Sequence, residues 1–99
     1  MALASPKYPF KQAVVFGAPD DPGVYALYFG DHLLFIGIAR GRTHVETIRS
    51  QLLAHLAGEL KPAFASHFKW EITRDPESRV AQLLGFLKPN LPPYNAPPA

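Results

Sequence analysis

Few side chains in this 99-residue chain are suited to chemistry. Tyr25 lies in an apolar stretch, where a phenol can act as acid or base; the plainer reading is a half-buried strand tyrosine. His55 falls on a helix, as a base or as a surface or pocket-filling residue. His32, His44 and His67 lack the spacing of a metal site and read as loop, cap region and strand start. Cysteine is absent, which excludes a disulfide framework, a thiolate zinc site and a cysteine nucleophile. Arg40 and Arg42 flank Gly41 just ahead of a helix, where free backbone amides favour an anion such as phosphate. Arg49 and Arg79 would extend that surface, unless all of these are ordinary solvated charges.

The elements that must position these groups centre on residues 23–37, two apolar runs parted by Gly30, Asp31 and His32, the pattern of a β-hairpin. A loop of those three residues pairs Phe29 with Leu33, Leu27 with Phe35 and Tyr25 with Gly37, so Tyr25 and Phe35 share a face. A two-residue loop would put them on opposite faces. Val24, Ala26, Tyr28, Leu34, Ile36 and Ile38 make the other face apolar enough to need a cover. Residues 1–12 read as a flexible arm packing Tyr8 and Phe10, residues 13–16 as a short strand or extended segment, and 17–23 as turns.

Thr43 and Glu46 have capping-box spacing, and Val45, Ile48, Leu52 and Leu56 recur at helical period, predicting a helix over 44–57 that ends near Gly58. Residues 67–73 alternate as a third strand with Phe68, Trp70 and Ile72 on its buried side. Trp70 is expected in the core, its indole needing an acceptor. Asp75 caps a second helix, with Pro76 and Glu77 in its first turn and Val80, Leu83, Leu84 and Leu87 as its apolar stripe. Pro89 stops it, and the proline-rich tail runs on extended. The expected fold is α+β, a small three-stranded antiparallel sheet flanked by helices, as one domain over 13–95 with a Pro-rich tail at 96–99.

The net charge of +2 permits nucleic-acid binding without indicating it. No signal peptide or membrane span is visible, so a soluble, cytoplasmic protein is expected.

Gly-Val-Tyr at 23–25, followed after nine residues by Phe-Ile-Gly at 35–37, resembles the paired signature of the GIY-YIG nuclease superfamily. Residues 47–55, 65–72, 75–84 and 91–95 resemble the remainder of a short, single-domain bacterial branch. The resemblance implies a three-stranded sheet flanked by helices, one divalent metal on a helical glutamate, a tyrosine that helps generate the attacking water, and an arginine against the phosphate. Carried across residue by residue, it retains Tyr25 and the cleft-lining Gly37 and Asn95. The second tyrosine falls on Phe35, the arginine on Gln51 with His55 following, and the glutamate on Val80. Glu77, one helical turn before Val80, is the candidate for a migrated metal carboxylate, with His55 as a second relocated ligand.

Loss of the tyrosine hydroxyl, the arginine and the glutamate argues for a degenerate nuclease, since a single charge-stabilising donor is typically worth roughly 100- to 1000-fold in rate. Three functions follow. The first is a DNA-binding pseudoenzyme without a cofactor. The second is an active endonuclease using magnesium or manganese on relocated ligands. The third is a protein-interaction or assembly domain in which the cleft is filled.

Overall fold

The computed structural model describes residues 3–95; the 96–99 tail lies outside the described residues. The order is β1 (Tyr8–Pro9), α1 (Gln12–Val15), β2 (Gly23–Phe29), β3 (His32–Ala39), α2 (Ile48–Leu56), β4 (His67–Ile72) and α3 (Pro76–Leu87). The chain is α+β, but its antiparallel sheet has four strands, in the order β1-β4-β2-β3, rather than three. The added strand comes from the N-terminal segment: Tyr8 pairs with Phe68, Ser5 exchanges two hydrogen bonds with the Trp70 backbone, and Leu3 and Phe10 are buried. Residues 13–16, expected to be a short strand or extended segment, instead belong to a single helical turn, α1, with Phe16 as its C-cap.

The hairpin reaches the expected parity by another route. Its loop is two residues, Gly30 and Asp31, because Phe29 pairs with His32. Gly30 supplies a φ of 60° at the first loop position, as a tight hairpin turn requires. The register then shifts between Leu27 and Tyr28, leaving Leu34 as the extra residue of a bulge. That bulge restores Leu27 opposite Phe35 and Tyr25 opposite Gly37, so Tyr25 and Phe35 do share a face.

Both faces are covered. Tyr25, Leu27 and Phe68 pack with Val15, Ile48 and Leu52 beneath α1 and α2, with Phe35 and Trp70 partly buried against them. Val24, Ala26, Tyr28 and Ile36 pack with Leu3 and Leu83 beneath α3, whose Val80, Leu84 and Leu87 complete the stripe read from sequence. Burial fades along β4: Phe68 is buried, Trp70 half-buried rather than core, and Ile72 exposed. Among the described residues no helix is long and apolar enough to cross a membrane.

α2 starts four residues later than its period predicts, at Ile48 with Thr47 as cap. Tertiary partners decide this: Ile48 N–H donates to the Asp21 carbonyl, Arg49 N–H to that of Pro19, and Ser50 N–H to Thr47 Oγ1. Thr43 and Glu46 instead close a tight turn, with Gly41 N–H on the Glu46 carbonyl and Arg42 N–H on its carboxylate. α3 begins as read, with Ser78 N–H on Asp75 Oδ1.

β3 forms one edge of the sheet, where unpaired backbone groups would invite other strands. The C-terminal segment covers it. Tyr94 N–H donates to the carbonyl of bulged Leu34 at 3.0 Å, while the Asn95 side chain accepts from Ile36 N–H at 2.7 Å and donates to its carbonyl at 2.9 Å. Asn95→Ala removes both side-chain bonds, each worth about 0.5–1.5 kcal/mol. Urea denaturation is expected to show a loss of about 1–3 kcal/mol; an unchanged midpoint would contradict the role assigned to this amide.

Candidate functional site

Tyr25 and His55 meet in the core under α2. The phenol of Tyr25 lies 2.9 Å from His55 Nε2, and His55 Nδ1 lies 2.9 Å from the carbonyl oxygen of Pro62. A carbonyl can only accept, so Nδ1 carries the imidazole proton. Nε2 of the neutral ring is then an acceptor, and Tyr25 O–H donates to it. The chain of bonds runs from β2 through α2 to the loop beyond it, with every buried side-chain polar atom among the described residues satisfied.

The surroundings of this pair are apolar. Tyr25 is 2 % exposed and His55 1 %. The Phe35 ring stands 6.2 Å from that of Tyr25 and 5.5 Å from that of His55, centroid to centroid. Gly37 lies directly under the phenol, and a Cβ there would overlap the Tyr25 ring. Glycine at this position therefore makes room for Tyr25 itself rather than for a substrate.

Burial sets the proton affinities. It pushes the Tyr25 phenol well above its ordinary range, because a phenolate there would lose its hydration. It also pushes His55 below its ordinary value, against a smaller opposing effect of the Pro62 and Leu60 carbonyls. Both shifts favour the neutral forms, so the pair is held as a fixed donor and a fixed acceptor.

The other positions expected at a site lie apart. Val80 packs with the Leu3 cluster, on the opposite face of the sheet from Tyr25. Gln51 is half-exposed on α2, its amide 3.4 Å from the Val45 carbonyl. Asn95 bonds the Ile36 backbone and caps the β3 edge. Glu77, the candidate metal ligand, is exposed and ion-paired with Arg40 at 3.0 Å. Among the described residues no group of three or more His, Asp or Glu could hold a metal ion.

The arginines expected to contact phosphate are engaged within the protein. Arg42 grips both oxygens of Glu46, at 3.2 and 2.8 Å. Arg49 Nε donates to the Ala18 carbonyl at 2.9 Å. Arg79 makes a two-pronged pair with Glu71, at 2.7 and 3.1 Å, that ties α3 to β4. The amides expected to be free at the start of α2 are taken by the 19–21 loop and Thr47. The physical reason is shared: polar groups at a helix start or sheet end find protein partners when a neighbouring loop offers acceptors.

Sequence reasoning missed Pro62 as the acceptor that fixes the histidine, and Ser66, whose Oγ accepts from Gly30 N–H at 2.8 Å and lies 2.8 Å from His67 Nδ1. It also missed the exposed ring row Phe29, Phe64 and Tyr94. Pairing between loops leaves no periodic trace, although the bulky residues themselves were visible. Comparison of the chain with protein-family models, curated proteins and solved structures finds no match.

The His55 shift has a sign that can be tested. Because folding weakens proton binding at this ring, the unfolded chain binds more protons below histidine's ordinary value of about 6.5. Stability is therefore full above that value, falls as the pH drops through it, and levels off below the folded-state value. Urea unfolding at about pH 7.5 and about pH 5.5 should show this loss, and His55→Gln should reduce the difference. Equal acid sensitivity in both proteins would contradict the assignment.

Proposed function

We propose that this chain is a GIY-YIG-like domain without phosphodiester hydrolysis, serving as a protein-binding module. One observation carries the reading: the phenol matched to the signature tyrosine is enclosed, and its proton is committed to His55. A tyrosine that assists hydrolysis must exchange protons with substrate or water, within hydrogen-bond reach. Tyr25 has neither access nor a reason to ionise. Phe35 adds a ring without a hydroxyl, and Val80 packs across the sheet.

The choice of protein over nucleic acid rests on charge. Arg40, Arg42 and Arg79 are each matched by a carboxylate, and Lys7 by Asp31. Pairing of this kind adds little stability at a surface, but it leaves less uncompensated positive field for a phosphate backbone. A second reading, DNA binding, is favoured by the basic pI of 9.1 and by Lys11, Lys61, Arg74 and Lys88, which have no ion pair among the described residues.

Supercoiled plasmid incubated with the protein and either magnesium or manganese is expected to stay intact, and Glu77→Ala to behave identically. Nicking that depends on Glu77 would overturn the proposal. In the same buffers, labelled duplex DNA is expected to remain unbound at low salt. Affinity that falls steeply with salt would favour the second reading.

A further inference from the structure

At the turn end of the hairpin, Phe29, Phe64 and Tyr94 form a row of rings. Phe29 and Phe64 stand edge to face with centroids 6.1 Å apart, and Phe64 and Tyr94 likewise at 5.9 Å. Their exposures are 57, 53 and 41 %. Three segments distant in sequence thus bring aromatic rings together at the surface without burying them. Exposed clusters of this kind mark interaction sites.

Beside the row, on the hairpin turn, the Asp31 carboxylate projects fully into solvent, its nearest cation being Lys7 at 3.1 Å. We propose that this row docks a short proline-containing segment of a partner protein in the polyproline II conformation, with a basic residue of that segment against Asp31. The proposal rests on the protein-binding reading and gives that module its site.

Size selects the occupant. Aromatic side chains bury about 150–250 Å² each, so three half-exposed rings offer on the order of 300 Å². A stable interface with a folded partner, or with a second copy, takes about 800 Å² per side. An extended peptide fits the smaller area. A short segment suffices, because one turn of polyproline II advances roughly 9 Å over three residues and the ring centroids step by only 6.1 and 5.9 Å. Such a helix is preformed and fully solvated, so little conformational entropy is lost on docking, and aromatic-lined surfaces are its usual receptors.

Two further observations agree. This end of the molecule already seats a proline pair of its own chain, with Pro92 buried and Pro93 beside His32 and Leu33 on a common depression. The second is at Asp31, where Lys7 engages Oδ1 at 3.1 Å and the exposed second oxygen can still accept from an arginine or lysine of the partner.

The test is fluorescence anisotropy with a labelled Arg-Pro-Leu-Pro-Pro-Leu-Pro peptide, accompanied by amide chemical-shift mapping on the whole chain. Saturable binding with shifts confined to residues around Phe29, Phe64 and Tyr94 is expected. Phe64→Ala should weaken it by about tenfold or more, as truncating a central anchor does. Phe86→Ala, removing an exposed ring on α3, should leave it unchanged. If Phe64→Ala unfolds, as judged by circular dichroism, Phe64→Leu keeps an apolar side chain while losing the ring and should still lose the peptide. No binding at millimolar peptide, equal binding by the folded Phe64 variant, or shifts at the row produced instead by a single-stranded oligonucleotide would overturn the proposal. A silent peptide beside an uncut plasmid removes this site and leaves the binding-module reading standing; Glu77-dependent nicking removes both.

Discussion

The structure depends on how it satisfies one phenol. Tyr25 projects from the central strand β2 into an apolar core, where a hydroxyl without a partner costs several kcal/mol by transfer scales. His55 accepts its proton only because Pro62 accepts the proton on the other side of the ring. Helix α2, the 58–66 loop and the sheet are thereby fixed by one directional chain of bonds. Gly37 and Phe35 follow from the same constraint: one leaves room for the ring on the neighbouring strand, and the other closes the side. An arrangement that holds Tyr25 as a permanent donor in a dry environment is stabilising for the fold and unsuited to proton transfer with an outside molecule.

Local pattern made much of this legible. The period-two runs around Tyr25 and the 3.6-residue stripes of both long helices identified β2, β3, β4, α2 and α3, because alternation and helical spacing are set by which face is buried. The shared face of Tyr25 and Phe35 was inferred correctly from an incorrect loop length. A two-residue turn plus a bulge at Leu34 gives the same parity as a three-residue loop, and the pattern of apolar residues does not separate them. What periodicity cannot show is where a local signal is overruled. Thr43 and Glu46 have the right spacing for a cap, yet the carbonyls of Pro19 and Asp21 meet the amides of Ile48 and Arg49 and set the start of α2 there.

The terminal segments follow the same logic. Tyr8 adds β1 as an edge strand on β4, Ser5 bonds Trp70 beside it, and Asn95 covers β3, so both edges of the sheet are completed by segments from opposite ends of the chain. A side-chain amide that both accepts from and donates to one residue's backbone stands in for a strand, a role that a lone asparagine in a proline-rich stretch does not announce. The candidate site suffered most from this kind of nonlocal pairing. Its residues were named one by one, most of them from the family resemblance, but Val80 lies across the sheet and the arginines are matched within the fold.

The core of this fold turns on where one proton sits. Nitrogen-15 NMR of the His55 ring, with the Tyr25 hydroxyl observed by its exchange with water, reads this directly. The neutral Nδ1–H tautomer, a slowly exchanging phenol proton and a titration displaced below histidine's ordinary value of about 6.5 are predicted. An Nε2–H tautomer, or a ring that titrates as an exposed histidine does, would contradict the account.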